Sequence, residues 1–294
     1  MRSERAGYAL VAIAACSWGT WRYVLLGAEH FAPRLDARAE SAVVMLVITL
    51  FAFALLPWQR RATRRRAPIE WAGVAWLGVA DALNVVLLFV AYAKTSVPVA
   101  VTTHYLAPIF VAAAAPLALR EKPHSLTWVA TGGGVLGLVL LLRPWSGEMG
   151  PHDALGAAAG AGSAVFYASN VLVNRRLMGR DDAPFTAVEL MAYHGVVATP
   201  FLVALVPHGG LAALDLGSTL MLALGGVVPG ALGGILFVKA LESVRAARAS
   251  TLTLLEPFVA VGVAVALGQR LAPASWLGAS MILGSAALAM RRTA

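Results

Sequence analysis

Ten apolar runs, each close to the length that crosses a bilayer, follow one another with short polar segments between them. They cover 7–28, 40–57, 69–92, 97–119, 125–143, 153–174, 185–206, 217–240, 247–268 and 274–290. About 20 mainly apolar residues span the hydrocarbon as a helix. Lipid offers the backbone no partners, so each run must be a helix that bonds its own N–H and C=O groups. Composition agrees: 59% of the 294 residues are hydrophobic and 13% charged, against about 25% charge in a soluble domain. The expected architecture is an all-α integral membrane protein of ten transmembrane helices.

A net charge of +8 could suit a nucleic-acid partner. The cations, however, gather at the ends of the apolar runs, which points to the lipid bilayer and to no nucleic acid. They also orient the chain, because cytoplasmic loops are rich in Lys and Arg. With the N-terminus inside, the inner segments hold 17 cations: Arg2, Arg5, Arg60, Arg61, Arg64, Arg65, Arg66, Arg120, Lys122, Arg175, Arg176, Arg180, Lys239, Arg245, Arg248, Arg291 and Arg292. The outer segments hold 5: Arg34, Arg38, Lys94, Arg143 and Arg270. Arg22 lies within a span. Both termini are therefore expected in the cytoplasm, in a bacterial inner membrane.

The start of the chain, with Ile13-Ala14-Ala15-Cys16 after a basic head, resembles a lipoprotein processing site. The apolar run continues to Ala28, so the better reading is a buried thiol in the first helix. One cysteine permits neither an intrachain disulfide nor a thiolate metal cluster. No metal or other cofactor is expected.

The chain repeats itself. AYAKTSVPVAVTTHYLAP at 91–108 aligns with ALESVRAARASTLTLLEP at 240–257 at an offset of 149, pairing Ala91 with Ala240, Ala100 with Ala249, Thr102 with Thr251, Leu106 with Leu255 and Pro108 with Pro257. At an offset of 148, Glu121 pairs with Gln269, Trp128 with Trp276, Trp18-Gly19 with Phe166-Tyr167, and Arg22 with Asn170. The units are thus 1–148 and 149–294. Five spans per unit is an odd number, so the second copy must enter the membrane from the opposite face. Inverted five-helix repeats around a central cavity are a hallmark of secondary transporters.

Polar groups within spans are costly and tend to face a cavity or a partner. Candidate substrate-binding or cavity residues are Trp18, Trp21, Arg22, Asn84, Tyr92, His104, Tyr105, Tyr167, Asn170 and Glu256. Polar members could hold the charged or hydrogen-bonding groups of a small molecule, and the aromatics, with Phe166, could form its walls. Each has a plainer reading: Trp18 and Trp21 as packing or lipid-facing residues, Arg22 snorkelling outward, Asp81 and Glu256 as structural acids or proton carriers, and His194 and Glu189 as structural. Pro108 and Pro257 interrupt their helices at equivalent places, as hinges or as fixed bends. Gly132-Gly133-Gly134-Val135-Leu136-Gly137 matches GxGxxG literally, but no strand precedes it. Close helix packing suits it better, as it does Gly156, Gly160, Gly226, Gly230 and Gly234. Gly and Ala abound in the sixth and eighth spans, so those should be central.

No HExxH, GxSxG or phosphate loop is present, which argues against a membrane enzyme and an ATP-driven pump. A channel remains compatible with inverted repeats. The expected partner is a small-molecule substrate, carried by a monomer or weak dimer.

Ser17-Trp18-Gly19-Thr20, Leu106-Ala107-Pro108-Ile109-Phe110 followed by Arg120-Glu121-Lys122, Ala240-Leu241-Glu242-Ser243, Leu254-Leu255-Glu256-Pro257 and Gly268-Gln269-Arg270-Leu271 stand in order along the chain. Their order and spacing resemble the drug/metabolite transporter superfamily in its EamA-type, ten-helix branch. That pattern usually has an acid where this chain has Gln269. More narrowly, the chain resembles aromatic amino-acid exporters of the YddG type. This resemblance implies export of Phe, Tyr and Trp and related amphiphiles by alternating access, with other amino acids or quaternary-ammonium drugs as the alternative cargo.

Overall fold

The structure, a computed structural model, describes residues 4–33, 35–59, 65–146, 152–179 and 182–291. Arg2, Arg34, Arg60, Arg61, Arg64, Arg180 and Arg292, used above to orient the chain, lie outside the described residues. Every element among those residues is helical. Among the described residues nine spans are long and apolar enough to cross a membrane: Glu4–Phe31, Ala37–Trp58, Pro68–Lys94, Val97–Leu119, Ser125–Ser146, Asp153–Met178, Ala187–Ala204, Leu216–Ala240 and Ala246–Ala266. Pro273–Ala289 is a shorter apolar helix and takes the place of the tenth. They are called the first to tenth spans below.

Local chemistry sets the ends. Asp36 accepts from the backbone of Arg38 ahead of the second span, and Thr186 with Glu189 forms a capping box before the seventh, supplying partners for free helix N–H groups. Pro68 and Pro273 begin their helices, where proline loses no bond.

The first span breaks at Gly19–Thr20, the fourth at Tyr105–Leu106 and the ninth at Thr253–Leu254. Pro108 and Pro257 each lie in the first turn of the helix that follows the break. The eighth span contains a π-helical turn, Gly226–Leu232, around Pro229. A proline has no N–H to give and its ring displaces a carbonyl, which accounts for the widened turn.

The third span packs along the sixth, the second along the seventh, the first along the eighth and the fifth along the tenth. The fourth also meets the sixth, and the ninth meets the first. Small residues allow these approaches: Gly78 lies against Val197, Gly137 against the carbonyl of Gly278, and Gly160 against Thr103. In the Gly132–Gly137 stretch, Gly134 and Gly137 face neighbours, whereas Gly132 faces open space.

Large apolar side chains point outward around the bundle, among them Leu50, Leu117, Leu220 and Leu277, as lipid requires. Cys16 is exposed, one turn from the exposed Ile13. This corrects the buried-thiol expectation: the sulfur lies on the outward face of the first span.

Candidate substrate site

A polar and aromatic cluster lies where the third, fourth, sixth and ninth spans meet, most of it near their middles and Tyr92 at the end of the third. Two of the broken spans supply its acidic and imidazole groups. Glu256, half-buried, follows the break in the ninth span. Tyr105, at the break in the fourth, lies close to the Glu256 carboxyl. Tyr92 and Tyr167 lie within electrostatic reach of the same carboxyl, and Tyr167 lies near Thr253, whose hydroxyl donates to the Ser250 carbonyl at 2.7 Å. His104 stands edge-on to both Tyr105 and Tyr167, at centroid distances of 5.3 and 5.5 Å. Its Nδ1 lies 2.8 Å from Ser163 Oγ, and Ser163 donates to Asn84 Oδ1 at 2.8 Å. The cluster therefore unites Asn84, Tyr92, His104, Tyr105, Tyr167 and Glu256.

The other expected residues make further contacts of their own. Trp18 packs on Phe237 at 5.2 Å and against Gly233 of the eighth span. Trp21 fills the space beside Gly225. Arg22 is exposed and 4.0 Å from Glu29. Asn170 lies one turn beyond Tyr167, its Oδ1 buried without a partner. Phe166 faces Trp76 at 6.3 Å.

Ser163 and Thr253 were not foreseen. Ser163 is fully buried, but a lone Ser in a Gly/Ala-rich helix commonly bonds its own backbone, so its sequence context gave no signal. His194 donates Nδ1–H to the Leu190 carbonyl at 2.8 Å and holds Nε2 3.7 Å from Asp81.

Charged groups tie the two halves at the end where the first span begins. Arg175 Nε lies 2.6 Å from Glu121, and its Nη1 donates to the Leu241 carbonyl at 2.6 Å. The other oxygen of Glu121 accepts from Ala246 N at 3.1 Å. Arg248 Nη1 meets Glu4 at 3.2 Å and the Tyr8 hydroxyl at 2.8 Å. Arg66 pairs with Glu189 at 2.5 Å and lies 4.6 Å over the Phe185 ring.

The EamA-like transporter family model matches this chain twice, over residues 5–143 and 154–291. The chain belongs to the EamA-like transporter family. It is a multi-pass protein of the bacterial inner membrane, and its family is one of transporters. A riboflavin transporter of Rhizobium johnstonii is 28% identical over 257 residues, covering 82% of this chain and 78% of that protein. An uncharacterized transporter, YxxF, of Bacillus subtilis is 27% identical over 216 residues, or 71% and 66% of the two chains. A riboflavin transporter of Vibrio cholerae is 32% identical over 94 residues, 32% of this chain and 29% of that protein. A crystal structure superposes with a TM-score of 0.76 at 16% identity, covering 98% of both chains, which is agreement of fold.

Proposed function

We propose that this EamA-family protein is a secondary carrier for a small metabolite bearing a planar aromatic ring, moved by alternating access between two inverted halves. The observation that carries this reading is the cluster itself. Three tyrosines and His104 line one place with Glu256, supplied by spans of both halves. Aromatic walls with a few polar groups suit a flat ring with a polar edge. Two of the relatives bear the name riboflavin transporter, so a flavin is the first cargo to test. The aromatic amino acids Phe, Tyr and Trp, to be exported, are the second.

Two observations support the inverted arrangement. Exchanging each span with the one five places away maps the six main packed pairs named above onto one another. Gly7 abuts Val244 and Gly156 abuts Thr95; residues 7 and 156 are 149 apart, as are 95 and 244. On this reading the units are 1–148 and 149–294, the termini are cytoplasmic, and Pro108 and Pro257 mark equivalent hinges.

Uptake into proteoliposomes tests the function, with riboflavin, tryptophan, tyrosine and phenylalanine set against threonine and a quaternary amine. Saturable uptake and counterflow of an aromatic cargo are expected. Carriage of threonine or the amine with no aromatic cargo would overturn the reading. Repeating the assay with and without a pH gradient decides whether Glu256 or Asp81 couples transport to protons. Pro108→Ala is expected to slow transport at unchanged expression, and a wild-type rate would remove the hinge.

A further inference from the structure

Three spans converge on one hydrogen-bond relay, and its direction fixes a proton. Ser163 Oγ has a single hydrogen. That hydrogen goes to Asn84 Oδ1, 2.8 Å away. Toward His104 Nδ1, also 2.8 Å away, Ser163 can then only accept. With the Asn84 amide oxygen turned to Ser163, Nδ1 carries the proton, and in an uncharged imidazole the other nitrogen, Nε2, is left as an acceptor. Nε2 has no hydrogen bond to any described residue, and the ring that bears it stands between Tyr105 and Tyr167 in the proposed site.

We propose that His104 Nε2 accepts a hydrogen bond from a ring N–H of the cargo, with Ser163 as the positioning residue that holds the imidazole in the Nδ1–H form. The inference rests on the aromatic-metabolite reading and narrows it to heterocycles with a ring N–H. The imide edge of a flavin and the indole of tryptophan qualify, and a phenyl ring does not. An acceptor built for a donor discriminates strongly against an analogue that lacks it, because the analogue leaves the acceptor unpaired in a dry site.

The test compares riboflavin with 3-methylriboflavin and tryptophan with 1-methyltryptophan in reconstituted wild-type protein. For whichever parent is carried, methylation should raise KM by about tenfold or more, the scale of one lost hydrogen bond to a group left unpaired. In His104→Phe the parent should fall to the level of the analogue, and methylation should then change KM by less than about twofold. Ser163→Ala should raise KM for the parent while leaving kcat near wild type. Nitrogen-15 spectra of the imidazoles, with His104 assigned by its loss in His104→Gln, should show a protonated Nδ1 and a bare Nε2. Equal KM for a carried parent and its methylated analogue would overturn the inference while leaving the aromatic reading intact. If phenylalanine or tyrosine is carried and neither parent is, this cargo assignment falls while the aromatic reading stands; if no aromatic cargo is carried, both fall. A proton found on Nε2 overturns the relay in either case.

Discussion

The two ends of the bundle are held together in different ways. At the basic end, three charged pairs join the halves: Arg175 with Glu121, Arg248 with Glu4, and Arg66 with Glu189. At the other end, two ion pairs among the described residues, Arg22 with Glu29 and Arg38 with Asp36, are local. The halves meet there through hydrogen bonds that use no cross-half cation: Thr95 donates to the Asp153 carboxylate, Tyr23 to the Ala260 carbonyl at 2.6 Å and Ser275 to the Leu141 carbonyl at 3.0 Å. The repeat makes the contrast sharper. Glu121 corresponds to Gln269 and, at the same offset, Arg175 corresponds to Gly27. The clamp at the basic end thus has an uncharged equivalent at the other, and Gln269 is exposed. In an alternating carrier this asymmetry should favour the state that is shut at the basic end.

Arg175→Ala attacks that clamp most directly and should have the largest effect. It leaves the Glu121 carboxylate, 15% exposed, without its cation, and the Leu241 carbonyl without its donor. Breaking one partner of a buried pair costs about 3–5 kcal/mol, and the residual exposure should bring this toward about 2–3 kcal/mol. Thermal unfolding in detergent measures it. A shift no larger than that of an exposed-pair variant would mean that the clamp does not hold the halves.

Glu121→Gln makes the two ends alike with little change of shape. It should cost less stability but move the population toward the state open at the basic end. Ser250 makes a good reporter: it is fully buried, and its hydroxyl has no partner. With Cys16→Ser as background, Ser250→Cys should react slowly with an impermeant maleimide from the basic side. Glu121→Gln should raise that rate by about tenfold, a shift of about 1.4 kcal/mol. An unchanged rate would show that the charge does not bias the states.

Arg248→Gln comes next. Its partner Glu4 is 34% exposed and keeps the Tyr8 hydroxyl at 2.6 Å, so water can replace the lost cation. The expected cost is about 1 kcal/mol.

These ties also mark where the sequence was legible and where it was not. The spans could be read because lipid demands long apolar helices, and their limits differ from expectation by only a few residues. Glu256, His104 and Tyr105 stood out because polar groups are rare in such runs. Arg175, Arg248 and Arg66 were read only as topology signals, since a loop cation looks the same whether it is solvated or paired across the fold. Trp18 and Trp21 suit a cargo wall or helix packing equally on sequence, and both touch the eighth span. Successive residues turn 100° around a helix, so composition alone does not say which face an aromatic takes. The π turn at Gly226–Leu232 left only a proline as its trace, and proline equally marks a simple kink.

The smallest effects belong to the end without the clamp. Arg22→Ala removes a pair whose side chains are 64% and 49% exposed and 4.0 Å apart, so it should change stability by less than about 0.5 kcal/mol. Asp36, ahead of the second span, is held below the usual carboxylate range chiefly by its side-chain bond to the Arg38 guanidinium, helped by the Arg38 backbone N–H. A carboxyl whose pKa is lowered on folding contributes stability above its unfolded pKa, about 4 for Asp, and loses it as pH falls through the folded value. Acid should therefore loosen this cap only below about pH 4, leaving neutral-pH transport untouched. Arg38→Ala should bring the Asp36 titration back toward the ordinary Asp value, as followed by carboxyl carbon-13 shifts. If the titration did not move, backbone N–H groups alone would be setting it, and the Arg38 guanidinium would be dispensable to this cap.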